Sequence, residues 1–292
     1  MKNINLYKVL SFIIFVSIVF YEFYYDDVND SYSMEVNGEN LLEVTFLDVG
    51  QGDSILIQNN DKNMLIDAGN NEDGMKLVNY FNDLNISDFD YVVGTHPHED
   101  HIGGLDDVIN NFNVDKVLLP DVTTTSNTFV SLLDAIQNKN LAIDIPKIGD
   151  TFKLGDAIIK VIYTGNDEKD LNNSSIVLKL IYGHNSFLFT GDATKSVEKI
   201  IMDDDIDCDV LKVGHHGSSY SSSINFLRAV NPKYAIISVG NDNSYGHPHN
   251  ITINNLKSLG VKVYRTDKLG SIKVTSDGNN IYINSFRSDT NG

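Results

Sequence analysis

Residues 95–104 read THPHEDHIGG, which puts three histidines and two acids into six positions directly after the apolar run FDYVVG. His96 and His98 alternate by two, so from an extended loop they point the same way and can share one cation. Asp100 and His101 then face a second position. Imidazole and carboxylate are the usual ligands for zinc, manganese or iron. The pair Gly103–Gly104 lets the backbone turn tightly into the next helix. Such a loop holds half a site, and the remaining ligands are expected at other strand ends. FLFTGDA sets Asp192 directly after a buried strand, where its carboxylate can bridge two cations. DVLKVGHHGS sets His215 and His216 after another. Singly, each of these is an ordinary turn; in order, each closing an apolar strand, they point to a metal centre.

The elements that must position these loops follow from apolar period. Strand-like runs are LEVTFLDV, SILIQ, NMLIDA, FDYVVG and KVLLP, then TFKLG, AIIKVIYT, SIVLKLIYG and SFLFTG. DVLKVG, YAIISVG, KVYRT, SIKVTS and IYINSF complete the set. Helical spacing marks MKLVNYFNDL, GLDDVINNF, TFVSLLDAIQNK, TKSVEKIIM, SINFLRAV and NITINNLKSLG. This rhythm predicts an α/β (α+β) fold, two mixed sheets face to face with helices outside, as one domain over 42–286. Residues 287–292 form a tail.

The 292 residues carry a net charge of −18, of which −14 lies beyond residue 40. A body that acidic repels polyanions, so no strong basic groove for nucleic acid is expected. Cations held in the site can still offset the local field. One cysteine, Cys208, excludes an intrachain disulfide and a thiolate-rich zinc cluster. At the N-terminus, Lys2 and Lys8 precede the 13 uncharged residues VLSFIIFVSIVFY, whose last, Tyr21, joins Phe23, Tyr24 and Tyr25 as interfacial aromatics before the acids Asp26, Asp27 and Asp30. Residues 1–25 are expected to form a signal-anchor with the lysines inside and the body outside the membrane. A cleaved signal peptide, releasing the body, and a buried core helix are the competing readings. Residues 26–41 are a polar linker.

In these residues the chain resembles the metallo-β-lactamase superfamily, marked by HxHxDH, a later bridging Asp and a final His. The resemblance covers nearly all of 42–286. FLDVGQGDSILI (46–57), LIDAG (65–69), FTGDA (189–193), LKVGHHGS (211–218) and YGHPH (245–249) look like the hydrolase domain of ComEC-type DNA-uptake proteins, and surface phosphorylcholine esterases are similar in the same motifs. The resemblance implies an αββα sandwich with a binuclear site of two divalent ions, Zn or Mn, along one sheet edge. His96 and His98 would bind the first ion, Asp100 and His101 the second, with Asp192 bridging and His215 preferred over His216 as last ligand. Asp67 would orient ligands from behind. Gln51 and Asp53 would face the cleft or support the ligands, and His216 and Ser218 would likewise face substrate or support the ligands. His247, and less so His249, would donate to a phosphoryl oxygen. Asp100, Asp192 and His247 are the expected catalytic residues.

Two features depart from the wider pattern. The histidine usual between HxHxDH and the bridging Asp is missing: between 102 and 191 only His184 occurs, in a turn, and Asn172 and Asn173 stand at the expected place. ComEC-type domains share this loss, but many carry Asp where this chain has His98.

The function expected is extracytoplasmic phosphodiester hydrolysis by a metal-bridging hydroxide, on a wall polymer, a head group or DNA. A ComEC-like nuclease on single-stranded DNA is the alternative, followed by β-lactam or lactone hydrolysis and then by a non-catalytic surface binding protein. No protein partner is expected.

Overall fold

The computed structural model describes residues 40–286. The expected anchor, all but the end of the linker, and the tail lie outside these residues. Among the described residues no helix is long and apolar enough to cross a membrane.

The chain begins with β1 (Leu42–Phe46), β2 (Ser54–Asn59) and β3 (Lys62–Ala68), then α1 (Gly74–Asp83) and β4 (Asp88–Val93). The histidine-rich loop leads into a single helical turn, α2 (Glu99–Ile102), followed by α3 (Leu105–Asn111), β5 (Asn113–Leu118), α4 (Asn127–Asn138) and the two-residue β6 (Ile143–Asp144). Next come β7 (Thr151–Leu154), β8 (Ala157–Tyr163), β9 (Val177–Tyr182), β10 (Asn185–Phe189), α5 (Lys195–Ile201) and β11 (Val210–Lys212). The chain continues through α6 (Ile224–Val230), β12 (Tyr234–Ile237), α7 (Asn250–Ser258), β13 (Lys262–Arg265) and α8 (Thr266–Leu269) to β14 (Ser271–Ser276) and β15 (Ile281–Phe286). His184 sits in the β9–β10 turn.

The strands form two mixed sheets. One runs β15-β14-β1-β2-β3-β4-β5-β6, antiparallel up to β3 and parallel beyond. The other runs β13-β12-β11-β10-β9-β8-β7, parallel from β13 to β10 and antiparallel beyond. Side chains alternate between two apolar layers, which explains the near-continuous hydrophobic runs. In β2 and β3, Ile55, Ile57, Met64 and Ile66 enter the layer between the sheets, where they join Leu178, Leu180 and Phe187 of the other sheet. Leu56 and Leu65 face outward onto Leu77, Phe81, Leu105 and Leu132 of α1, α3 and α4. Leu188, Leu211 and Ala235 likewise meet Val197, Leu227 and Leu256 of α5, α6 and α7. The result is the αββα sandwich expected from the sequence.

β3 and β4 run parallel, as do β10, β11 and β12, so their C-terminal ends can feed loops to one edge. Glycine permits the tight approach of these loops. The reason for Gly103 is nevertheless not a turn angle: it is helical (φ −56°, ψ −46°), and a Cβ there would lie 2.3 Å from both Asn70 C and Asn71 N. At Gly52 a Cβ would lie 2.5 Å from the Asp100 carbonyl oxygen, which keeps the β1–β2 loop against the histidine loop.

Candidate metal centre

Asp67, at the end of β3, is held in the left-handed region (φ 59°). Its carboxylate accepts from Thr95 N and from Thr95 Oγ1, both at 2.7 Å, and its Oδ2 lies 2.7 Å from His101 Nδ1. Asp67 therefore lies behind His101, and Thr95, which the sequence did not single out, fixes Asp67. With Nδ1 so engaged, His101 turns Nε2 toward Asp192 Oδ1 at 3.3 Å and Asp100 Oδ2 at 3.9 Å. Asp100 and His101 occupy the helical turn α2, so the loop is extended only as far as His98 (φ −83°, ψ 149°).

From the other sheet, the loop after β11 brings in its two histidines with unusual backbone: both lie in the left-handed region (φ 52°). For residues with a Cβ this costs roughly 1–2 kcal/mol each, and such strain gathers at functional sites. The two rings then diverge. His216 is buried, with Nδ1 3.0 Å from Ser238 O and Nε2 3.2 Å from Asp100 Oδ2 and 3.6 Å from Asp192 Oδ2. His215 is partly exposed, with Nε2 3.6 Å from Asp192 Oδ2.

One ligand atom each from Asp100, His101, Asp192 and His216 lies within 4.8 Å of all the others. The buried atoms His101 Nε2, His216 Nε2 and Asp192 Oδ1 converge without forming a hydrogen bond among themselves. Unpaired buried polar atoms are costly, and two imidazole nitrogens facing two carboxylates are the donor set of a divalent cation. The residues fit a metal. The geometry puts His216 inside this group and His215 on its cleft side, the reverse of the preference drawn from sequence. Adjacent histidines differ in direction only through backbone angles, which spacing does not reveal.

His96 and His98 are arranged differently. His96 is buried, and its Nε2 lies 2.9 Å from His98 Nδ1. Among the described residues, neither belongs to a cluster of three or more ligand-type residues.

Electrostatics sharpen the contrast. Burial opposes ionisation of Asp192, but His101 and His216 overcome it and hold its carboxyl well below the usual range. Asp100 is likewise lowered, by His101 and His216 against burial. Burial works against a charge on His216, yet Asp192, Asp100 and Asp53 push it up to about 10. His101 is raised by Asp192, Asp67 and Asp100 against its burial. Burial and then His101 push His96 well below its usual value. His247 is lowered to about 4 by burial and then by His216, His215 and His249.

The remaining expected residues are distributed around this centre. Gln51 Nε2 lies 3.5 Å from His247 Nδ1, and its Oε1 accepts from Gly240 N at 3.2 Å. Asp53, expected to face the cleft or to support the ligands, is buried, and Lys212 of β11 pairs with it at 2.7 Å from beneath. Ser218, expected to face substrate or to support the ligands, is buried and its hydroxyl accepts from Tyr220 N at 3.3 Å. His249 is the residue preceding α7 and accepts from Ser219 N at 2.9 Å through Nδ1. Its ring packs 4.9 Å from that of His247, and His247 packs 5.6 Å from His215.

A cleft of about 460 Å³ opens at His215, lined by Asp170, Asn172, Thr194, Lys195, Ser196 and Tyr220. Asn173 is tied into its loop, its Oδ1 accepting from Thr194 Oγ1 at 2.5 Å and its Nδ2 donating to Asp167 at 3.1 Å. Asn172 Oδ1, by contrast, is buried and without a hydrogen-bond partner.

Comparison with known proteins bears on the fold and the family. The chain is 32% identical over 252 residues to ComE operon protein 3 of Bacillus subtilis (strain 168), covering 79% of this chain and 32% of that protein. It is 30% identical over 249 residues to Competence protein ComA of Neisseria gonorrhoeae, covering 83% of this chain and 33% of that protein. The chain thus spans about a third of the length of these relatives. Among solved structures, the metallo-beta-lactamase fold protein YhfI from Bacillus subtilis superposes with a TM-score of 0.55 at 11% identity, over 84% of this chain and all of that one, a likeness of fold. The sequence model of the metallo-beta-lactamase superfamily matches residues 47–241, which include His96 through His216. A two-sheet sandwich whose strand ends gather histidines and carboxylates, matched by that model over two thirds of its length, belongs to the metallo-beta-lactamase superfamily of metal-dependent hydrolases.

Proposed function

We propose that this chain is a phosphodiesterase that works with divalent ions, two when fully loaded, of zinc or manganese type. The observation that carries the reading is the convergence of Asp100, His101, Asp192 and His216 beside an open polar cleft. A divalent ion held there supplies a Lewis acid and lowers the pKa of the water it binds to about 7. The protein's own groups do the rest. Asp67 keeps His101 in the orientation that offers Nε2. His247, neutral at physiological pH and beside Gln51, packs 5.6 Å from the ring of the cleft residue His215, from where it would donate or accept one hydrogen bond. Lys195 at the cleft rim offers a cation to an anionic substrate in an otherwise acidic body.

Similarity to competence proteins favours DNA as the diester, in the manner of a nuclease acting on single strands. The charge of −14 beyond residue 40 favours short contact over a long basic track, hence a small head group or wall polymer. The uncharged N-terminal run supports an anchored, extracytoplasmic placement.

The test is hydrolysis by the purified chain with manganese or zinc, offered labelled single-stranded DNA, bis-p-nitrophenyl phosphate and p-nitrophenyl phosphorylcholine, with Asp192→Ala as control. DNA cleavage lost in the variant makes the chain a nuclease. Turnover of the small diesters alone makes it a head-group or wall phosphodiesterase. A metal-loaded chain inert on all three sinks the proposal.

A further inference from the structure

Lys212 is the last residue of β11, and it is fully buried. Val210 of this strand lies in the layer between the sheets and Leu211 in the outer layer, so alternation directs Lys212 inward. An ammonium in an apolar layer is expensive unless paired. Its Nζ reaches Asp53 Oδ2 at 2.7 Å and donates to Val213 O at 2.9 Å. The pair therefore spans the two sheets at the top of their shared core.

Packing alone does not require such a pair, since apolar residues of similar volume commonly replace one without loss of stability. What it does is aim Asp53. With Oδ2 taken by Lys212, Oδ1 is left 3.4 Å from His216 Nδ1, on the same edge of the ring as Ser238 O at 3.0 Å. Two acceptors on that edge favour the tautomer with the proton on Nδ1, which frees Nε2 toward Asp100 and Asp192. The backbone reinforces the arrangement: Asp53 N donates to Asp100 O at 3.0 Å, and Asp53 O accepts from Gly69 N at 2.8 Å.

We propose that Lys212 is a positioning residue of the metal centre, holding Asp53 against the Nδ1 edge of His216 so that His216 offers Nε2 to a divalent cation. Its role parallels that of Thr95, which fixes the Asp67 carboxylate behind His101. The inference rests on the reading of Asp100, His101, Asp192 and His216 as ligands.

Cobalt(II) titration of the full chain, followed by its visible absorption, tests this beside thermal unfolding of the metal-free protein. Lys212→Met alone should lower both stability and cobalt affinity, because it strands a buried carboxylate. The double variant Lys212→Met, Asp53→Asn removes that charge. It should regain most of the melting temperature while cobalt affinity stays about 10–100-fold below wild type, the usual cost of losing a partner behind a ligand. Wild-type affinity and spectrum in the double variant would mean that the pair is structural only and overturn the proposal. Should the variants not fold, long-range proton–nitrogen correlation on the zinc-loaded wild type decides: a proton on His216 Nδ1 supports the proposal, and one on Nε2 overturns it. Asp192→Ala separates the levels. If it binds cobalt like wild type, or if wild type binds none, the metal-centre reading fails and the inference with it. If it alone loses cobalt, that reading stands and the double variant judges Lys212.

Discussion

The two halves of the histidine loop have opposite surroundings. Asp100 and His101 meet Asp192 and His216 from the facing sheet, and buried nitrogens and oxygens converge there without hydrogen bonds to one another. His96 and His98, two residues earlier, are turned on each other at 2.9 Å, and no carboxylate joins them in a ligand cluster among the described residues. Before any cation arrives, one half pairs its ionised carboxylates with protonated His101 and His216, whose protons a cation displaces, and the other holds two imidazoles. The difference argues for two cation positions of unequal strength. A carboxylate-rich position draws a divalent ion by charge as well as by donor type, whereas the imidazole pair must first give up its mutual hydrogen bond.

The largest expected effect breaks the strong half. Asp192→Ala removes the carboxylate that faces both His101 Nε2, at 3.3 Å, and His216 Nε2, at 3.6 Å, and should abolish hydrolysis. Cation affinity should fall by more than the about 100-fold that a supporting residue can cost. His98→Ala should leave the first equivalent bound and remove only a weaker second one. Isothermal titration with manganese reads both, and two equal sites in wild type would contradict the asymmetry.

One step down, Asp67→Asn keeps the shape of the carboxylate behind His101 but not its charge. Cation affinity should drop about 10–100-fold with His101 still in place, while the same titration on His98→Ala should show its first binding step intact.

How much of this asymmetry was legible in the chain follows from what each residue's direction depends on. The strands were legible because burial on both faces writes long apolar runs, and Asp192 because it closes one of them. Lys212 was not, since a single charge inside DVLKVG reads as part of a strand until the facing sheet supplies Asp53. His216 was not, since it and His215 are neighbours and only the left-handed backbone at 215–217 decides which ring turns inward. The two-residue β6 and the single turns α2 and α8 left no periodic trace because periodicity needs more residues than they have. The pairing of His96 with His98 was hidden too: alternation gave their common side but not their contact.

Acid and base should separate the halves further. His216, held at about 10 in the metal-free fold, stands above its usual value near 6.5. A group whose folded pKa is raised contributes stability that is fully present below its unfolded pKa and is lost as pH rises through the folded one. Metal-free protein should therefore lose this contribution between about pH 6.5 and 10. Cation binding must displace the same proton, so below about pH 10 affinity at the strong half should rise about tenfold per pH unit for each proton released. His96, already pushed well below its usual value by burial and His101, releases none near neutral pH. Titration in two buffers of different ionisation heat counts the protons for each step; equal release at both would erase the distinction.

The smallest effect concerns the residue that sequence reasoning put inside the centre. His215 lines the cleft, with Nε2 3.6 Å from Asp192 and Nδ1 buried without a hydrogen-bond partner. Burial, only partly offset by Asp192, lowers its pKa, so near neutral pH it is an uncharged ring able to exchange one hydrogen bond with a bound diester. Losing one such bond is worth roughly two- to tenfold. His215→Ala should therefore raise KM for bis-p-nitrophenyl phosphate by that factor with manganese uptake unchanged, whereas His216→Ala should weaken manganese uptake itself. If the two variants exchanged these phenotypes, His215 would be the ligand after all, and the left-handed pair after β11 would turn the other ring inward when the cation is bound.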